Sequence, residues 1–213
     1  MKLWSYWRSS CAYRVRIALG LKGLPFEYAA VHLLRDGGQQ HRPEFQAVNP
    51  QRQVPVLELE DEGKIVHLVQ SMAIIEYLDE RFPDPPLLPA SAQDRAQVRA
   101  LAELVNSGIQ PLQNTSTFAE LKKHGVEHEA WARHFIAKGL AALEQLAQPR
   151  AGAFLFGDNP TLADIYLVPQ LYNARRFGLP LDAFATLTRA EANAQALPAF
   201  QGARPEAQPD AEP

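Results

Sequence analysis

Over the first eighty positions, short apolar runs are broken by polar punctuation. After about position 93, apolar residues recur every three to four places. Lys2 to Trp7 reads as a strand, and Ser10 to Lys22 as a helix with Val15, Ala18 and Leu19 in one stripe and Gly23 as a stop. Phe26 to Leu34 is rich in aromatic and β-branched residues and predicts a second strand. Val54 to Leu59 and Lys64 to Val69 predict a hairpin across the polar turn Glu60-Asp61-Glu62-Gly63. Ser71 to Phe82 predicts a helix with Ile75, Leu78 and Phe82 on its apolar face. The order β-α-β-(α)-β-β-α is that of a small α/β sandwich. Downstream the stripes are all helical: Val98, Leu101, Ala102 and Val105; then Trp131, Phe135, Gly139, Ala142, Leu143 and Leu146; then Ala163, Tyr166, Leu167, Gln170, Leu171 and Ala174. Thr161 and Asp164 have capping-box spacing at the head of the last helix, and Pro169 inside it predicts a kink or an early break.

The two regimes meet where four prolines fall between Pro83 and Pro89, a stretch through which neither helix nor sheet ladder continues. This predicts an α/β domain over 1–82, a linker over 83–92 and an all-helical domain over 93–213, with a loosely ordered tail from Gly202 rich in Pro, Ala and acids. At 213 residues the chain is long enough for one large domain or two small ones. Its net charge of −3 leaves no basic excess for nucleic acid or anionic membrane. One cysteine, Cys11, excludes an internal disulfide and fits a reducing compartment. No signal peptide or spanning segment is evident, so a cytoplasmic protein is expected.

The candidate chemistry lies first in Ser9-Ser10-Cys11, where strand gives way to helix. A helix start carries unpaired N–H groups and about half a positive charge, so it favours an anion. A thiolate there is stabilised, whether it is that of Cys11 or of a ligand. Ser9 or Ser10 would serve equally as an ordinary N-cap. In Gln53-Val54-Pro55-Val56, a proline heads an apparent strand and forfeits a ladder bond. A cis Val54–Pro55 bond, found at about 5% of such bonds, would turn the Val54 backbone toward a peptide-like ligand. Ser71 after Gln70 reads as a helix cap, or as part of a carboxylate site at the same N–H groups. His124, His128 and His134 lack a cysteine or carboxylate cluster, and Gly125 interrupts them, so no metal site is expected. Arg175-Arg176 reads as a solvated pair. Nucleotide-binding and hydrolase motifs are absent.

Taken together, these segments resemble the glutathione transferases, with a thioredoxin-like N-terminal domain and an all-α C-terminal domain. More narrowly the chain is similar to the zeta class, which includes maleylacetoacetate and maleylpyruvate isomerases. The resemblance rests on Ser9-Ser10-Cys11-Ala12-Tyr13-Arg14-Val15-Arg16-Ile17-Ala18-Leu19, Asn49-Pro50-Gln51-Arg52-Gln53-Val54-Pro55, and Gln70-Ser71-Met72-Ala73-Ile74-Ile75-Glu76-Tyr77-Leu78. It continues in Gly108 to Asn114, in Leu162-Ala163-Asp164 through Arg176-Phe177, and in the Gln208-Pro209-Asp210 tail. Two departures are Tyr13, where the class usually has Trp, and a longer Glu58 to Leu68 hairpin.

The resemblance implies a catalytic stretch of Ser9, Ser10 and Cys11, in which Ser9 hydrogen-bonds the glutathione sulfur and Cys11 lines the same pocket without itself attacking, and that Val54 before a cis Pro55 pairs with the cysteinyl backbone. It places Gln70 and Ser71 at the γ-glutamyl end and Gln40 near the glycyl end. Gln110, Asn114, Thr115 and Ser116 would border the substrate cleft from the helical domain, and Arg8 and Arg176 would hold substrate carboxylates. The implied reaction is a glutathione-dependent cis–trans isomerisation of a maleyl keto-acid: a thiolate adds to the alkene, the resulting single bond rotates, and the thiolate leaves. The protein must keep a thiol ionised and stabilise enolate charge. Maleylacetoacetate, from tyrosine and phenylalanine breakdown, is the expected substrate. The maleylpyruvate branch carries Arg near positions 115 and 116, where this chain has Thr115 and Ser116. A monothiol oxidoreductase using Cys11 is a further alternative, since Arg14 stands where a second cysteine would complete a dithiol pair. A homodimer is implied by the resemblance.

Overall fold

The computed structural model describes residues 1–212. The chain folds into two compact units, Met1–Pro85 together with the segment that begins at Leu197, and Pro86–Ala196. The first unit holds β1 (Lys2–Ser5), α1 (Ser10–Leu21), β2 (Glu27–Ala30), α2 (Pro43–Val48), β3 (Val56–Asp61), β4 (Lys64–Val69) and α3 (Ser71–Arg81). The strands form one sheet in the order β2-β1-β3-β4. β1 runs parallel to β2 and antiparallel to β3, and β3 pairs antiparallel with β4. That is the mixed sheet expected of a thioredoxin-like domain. The hairpin turn is tighter than the four polar residues suggested. Asp61 pairs with Lys64, leaving Glu62 and Gly63 at the tip, both at positive φ (49° and 76°), as a two-residue primed turn requires.

The second unit is helical: α4 (Ala92–Gly108), α5 (Thr115–Lys123), α6 (His128–Ala147), α7 (Leu162–Arg176) and α8 (Ala185–Gln195). The expected α4 stripe is the one buried. On α6 it is displaced. The buried residues are Ala132, Ile136, Leu140, Leu143 and Ala147, whereas Leu146 is 61% exposed. Trp131 and Phe135 lie on the shoulder of that face, where the Trp131 indole donates to the Leu112 carbonyl at 3.0 Å. The aromatic residues marked the wrong line, and an aliphatic stripe one position on marks the right one. At Gly139 a Cβ would overlap the Ile109 side chain. α7 neither breaks nor ends at Pro169 but runs on to Arg176, buried on nearly every side. Packing around the whole circumference outweighs one lost backbone bond.

The chain's end corrects the predicted division. α9 (Pro198–Ala203) packs against α1 in the first unit, and the residues beyond it are not loose. Gln208 donates to the Gly202 and Arg204 carbonyls at 2.9 and 2.7 Å, and Asp210 accepts from the Trp7 N–H at 3.1 Å. A Pro- and Ala-rich composition is no bar to order when groups such as Gln208 and Asp210 find partners within the fold. α9 also explains why α1 is buried from Ala12 to Leu19 with no exposed face, although its sequence carries two arginines.

Candidate active site

The turn from β1 into α1 is braced by both backbone and side-chain hydrogen bonds. Ser9 N–H closes it on the Tyr6 carbonyl at 3.0 Å. From below, the buried Arg16 guanidinium donates to the Tyr6 and Trp7 carbonyls at 3.4 and 2.9 Å and to the Ser5 hydroxyl at 3.2 Å. Burial pushes that guanidinium down to about 10, which leaves it charged at neutral pH. The Arg8 side chain lies over the Trp7 ring, 5.2 Å from its centroid. Ser9 is the N-cap. Its hydroxyl accepts from the Ala12 N–H at 3.2 Å, and its backbone is extended (φ −71°, ψ 118°). Among the described residues, no acceptor meets the N–H groups of Ser10 and Cys11, and no acid stands in the first turn. A hydroxyl cap and N–H groups without acceptors therefore coexist at this helix start.

Cys11 is partly exposed. Its sulfur accepts from Arg14 Nη1 at 3.7 Å, and the same nitrogen donates to Ser71 Oγ at 3.3 Å. Arg14 is fully buried and joins the start of α1 to the start of α3. Ser71 is therefore not the cap of α3 but its first residue. The cap position is Gln70, held at φ 71° and ψ 119°, with no side chain capping the turn. A non-glycine residue in that region costs about 1–3 kcal/mol and persists where the surroundings impose it. Gln70 Nε2 donates to Gln51 Oε1 at 2.7 Å, which links the residue to the loop before β3. In that loop Asn49 donates to the Gln53 carbonyl at 2.8 Å and accepts from the Gln51 N–H at 3.0 Å. The Val54–Pro55 bond that follows is cis, and both residues are buried. Val54 shares one apolar cluster with Tyr6, Trp7, Val31, Phe45 and Val56, so the α1 turn and the cis-proline loop rest on a common core. Gln40 is buried in a 3-10 turn and donates to the Leu33 carbonyl at 3.2 Å, and its buried Oε1 has no partner.

In the helical unit, Gln110 lies in a 3-10 turn before α5, Asn114 is the α5 N-cap position, and Thr115 and Ser116 open that helix exposed. Asn114 does not cap α5 with its side chain; its Oδ1 accepts from the Thr115 hydroxyl at 3.3 Å. Arg176 ends α7, exposed, and donates to Asn173 Oδ1 at 3.0 Å. The Phe118 ring of α5 meets Phe177 edge-on at 5.7 Å, which brings α5 to the end of α7 that carries Arg176. Arg175 is half exposed, as expected of a solvated residue, and is also forked onto the buried Glu191 at 2.6 and 2.5 Å. His124 pairs with Glu120, while His128 and His134 lie against the Phe118 and Phe135 rings. Among the described residues no group of three or more potential metal ligands gathers.

Residue-by-residue reading missed the structural roles of Arg14, Arg16, Asn49 and Asp210. For the two arginines a signal was present: in α1 they interrupt an apolar run that a one-sided helix would not need. For Asp210 there was none, because its partners lie about 200 positions away in the chain.

Family models for the glutathione S-transferase N-terminal and C-terminal domains match residues 8–81 and 127–200. The chain belongs to the glutathione transferases. It is 49% identical to a maleylacetoacetate isomerase of Pseudomonas aeruginosa, over 99% of this chain and 98% of the relative. It is 46% identical to a maleylpyruvate isomerase of a Ralstonia species, over 99% of each chain. Among solved structures, a maleylacetoacetate isomerase from Anaeromyxobacter dehalogenans with glutathione bound in its active site aligns with a TM-score of 0.92. That pair is 56% identical over 99% of this chain and 97% of the other. The same protein has also been solved with dicarboxyethyl glutathione and citrate in the active site.

Proposed function

We propose that this glutathione transferase is a glutathione-dependent cis–trans isomerase that converts maleylacetoacetate to fumarylacetoacetate in tyrosine and phenylalanine breakdown. The observation that carries the reading is the start of α1, a hydroxyl cap followed by two N–H groups without acceptors and no acid in the first turn. The residues present fit the tripeptide. The cis Val54–Pro55 loop suits its cysteinyl backbone, the strained Gln70 with Ser71 its γ-glutamyl end, and the unpartnered buried Gln40 Oε1 a donor near its glycyl end. Glutathione, when bound, supplies the thiolate that adds reversibly to the maleyl double bond and so permits rotation about it.

The chain's own groups make that addition possible. The Ser9 hydroxyl and the α1 N–H groups hold negative charge on sulfur near neutral pH. Arg14 fixes Cys11 toward Ser71, which makes Cys11 a wall of the pocket. Arg8 and Arg176 are assigned to substrate carboxylates, and their planar forks suit carboxylate oxygens and the charge that develops during the reaction. Gln110, Asn114, Thr115 and Ser116 are assigned to the substrate side. The dicarboxyethyl thioether found in the Anaeromyxobacter enzyme is the product class expected of thiolate addition to a maleyl-type alkene, and this supports the reading.

The test mixes the protein, glutathione and maleylacetoacetate and follows the fumaryl product. Glutathione-dependent turnover is expected, and its absence contradicts the proposal. The Ralstonia relative makes maleylpyruvate the second substrate to measure, and higher kcat/KM on it would move the reading there. A mixed disulfide on Cys11 after oxidised glutathione, together with disulfide reductase turnover, would favour the oxidoreductase alternative. We also assign the protein to the cytoplasm as a homodimer, a reading supported by the resemblance and by its single cysteine. Light scattering at assay concentration tests the oligomeric state.

A further inference from the structure

The C-terminal segment closes on the back of the α1 turn through three separate attachments. First, Arg16 ties the Ala203 carbonyl, at 3.1 Å from its Nε, to the same guanidinium that holds the Tyr6 and Trp7 carbonyls. Second, Asp210 accepts from the Trp7 N–H at 3.1 Å with one oxygen and from the Tyr28 hydroxyl at 2.6 Å with the other. Third, Ala211 packs on the apolar cluster that contains Trp7 and Val54. Glu212 continues the attachment onto the His32 Nε2 at 3.2 Å and onto Arg35. His32 Nδ1 accepts from the Leu34 and Arg35 N–H groups at 3.2 and 2.8 Å, so Nε2 carries the proton that faces Glu212.

The peptide unit that joins Trp7 to Arg8 leads directly into Ser9. Both backbone polar groups of Trp7 are therefore occupied by partners outside the turn, its carbonyl by Arg16 and its N–H by Asp210. Neither partner reaches the α1 N–H groups. We propose that Asp210 is a positioning residue for the thiol site: it fixes the Trp7-Arg8-Ser9 turn, and through it the place of the Ser9 hydroxyl. This rests on the reading of Ser9 as the thiolate's partner. The geometry separates positioning from simple charge. A carboxylate near a thiolate raises the thiol's pKa, so removing only its charge would ease ionisation. Removing a brace displaces the Ser9 hydroxyl and hinders ionisation. The two effects have opposite signs.

The experiment measures ionisation of enzyme-bound glutathione by ultraviolet thiolate absorbance against pH. It is run on the full chain and on Asp210→Ala, Asp210→Asn and Tyr28→Phe, with glutathione affinity by calorimetry and kcat/KM alongside. Asp210→Ala is expected to raise the pH at which the bound thiol ionises and to lower kcat/KM about tenfold, a loss within the range for a misplaced reacting group. Asp210→Asn should stay near wild type, because its carbonyl still accepts from Trp7 and its amide can donate to the Tyr28 oxygen. Tyr28→Phe, which removes one of the two groups that orient the carboxylate, should shift the thiol upward by less. If Asp210→Ala does not fold, the Tyr28→Phe shift decides. An Asp210→Ala protein that melts earlier but ionises bound glutathione normally overturns the proposal, as does a downward shift in Asp210→Ala and Asp210→Asn alike. If the wild-type chain does not bind glutathione, the underlying reading falls with it, which is distinct from a wild type that binds and a variant that does not differ.

Discussion

Two helices begin alike and end up opposite in use. α1 and α7 each follow an extended hydroxyl residue, Ser9 or Thr161, whose oxygen accepts from a first-turn N–H. Three places on, α1 has Ala12 and α7 has Asp164. In α7 the Asp164 carboxylate turns back to accept from the Thr161 N–H at 2.8 Å and the Thr161 hydroxyl at 3.0 Å. It also takes the Leu155 N–H at 2.8 Å. The positive end of that helix is met by the protein's own anion, deep in the core. In α1 nothing internal does this, and the Ser10 and Cys11 N–H groups remain for an anion from outside. One position therefore separates a helix start closed by the fold's own carboxylate from one left open, as the proposed function requires.

The comparison is broken most severely at the two hydroxyl-led ends themselves. Ser9→Ala should lower turnover by about 100- to 1000-fold, the usual cost of losing a donor aimed at developing charge, while Cys11→Ala should cost far less. Steady-state kinetics on both variants checks this, and the reverse order would move the chemistry onto Cys11. At the other end, Asp164→Ala should lower stability by about 3 kcal/mol, because it leaves buried N–H groups unmet. Denaturant titration reads this, and activity per folded molecule should persist.

Asp164 also carries a pH signature. Burial pushes its carboxyl from 3.8 up to about 6, which its hydrogen bonds only partly offset. The folded state therefore holds that proton more tightly than the unfolded chain. The resulting stabilisation is full below pH 3.8 and is lost as pH rises through about 6. The stability gap between wild type and Asp164→Asn should accordingly narrow between pH 4 and pH 7, and chemical denaturation across that range reports it.

Smaller effects sharpen the contrast. Arg176 stands at the exposed far end of the internally capped helix, so Arg176→Ala should raise KM for the keto-acid about tenfold with little change in melting temperature. Ser10→Asp would give α1 an acid of its own in the first turn. It should weaken glutathione binding about tenfold, as the added charge opposes the thiolate, while leaving stability equal or slightly higher. A variant that binds as tightly as wild type would show that the end of α1 does not hold the anion.

Much of this contrast can be read along the chain. The Thr161–Asp164 spacing announces its capping box, and the β-α-β opening with a hairpin and helix announces its sheet. Ser9-Ser10-Cys11 marks the candidate site, and a proline at the head of an apparent strand draws attention to Val54-Pro55. What escapes is whatever depends on distant residues. Arg16 finds its partner only when α9 arrives from the far end of the chain, and Arg14 only when α3 brings Ser71 against it. Ser71 reads as a cap until Arg14 takes its hydroxyl and leaves Gln70 at the cap position with positive φ. The tail reads as loose until Asp210 meets Trp7 and Tyr28. On α6, the aromatic pair Trp131 and Phe135 draws the stripe one residue away from the face that is buried. Local patterns specify elements and their ends; the partners of buried charges are set only when the topology brings remote segments together.

The most direct measurement is a pH titration of the thiol of glutathione bound to the wild-type protein, followed by thiolate absorbance, with Ser9→Ala alongside. The account predicts ionisation at or below about pH 7 in the wild type, against about 8.5 for a free cysteine thiol, and a return toward the free value in Ser9→Ala. A bound thiol that ionises like the free one, or a wild-type value that Ser9→Ala leaves in place, would contradict it.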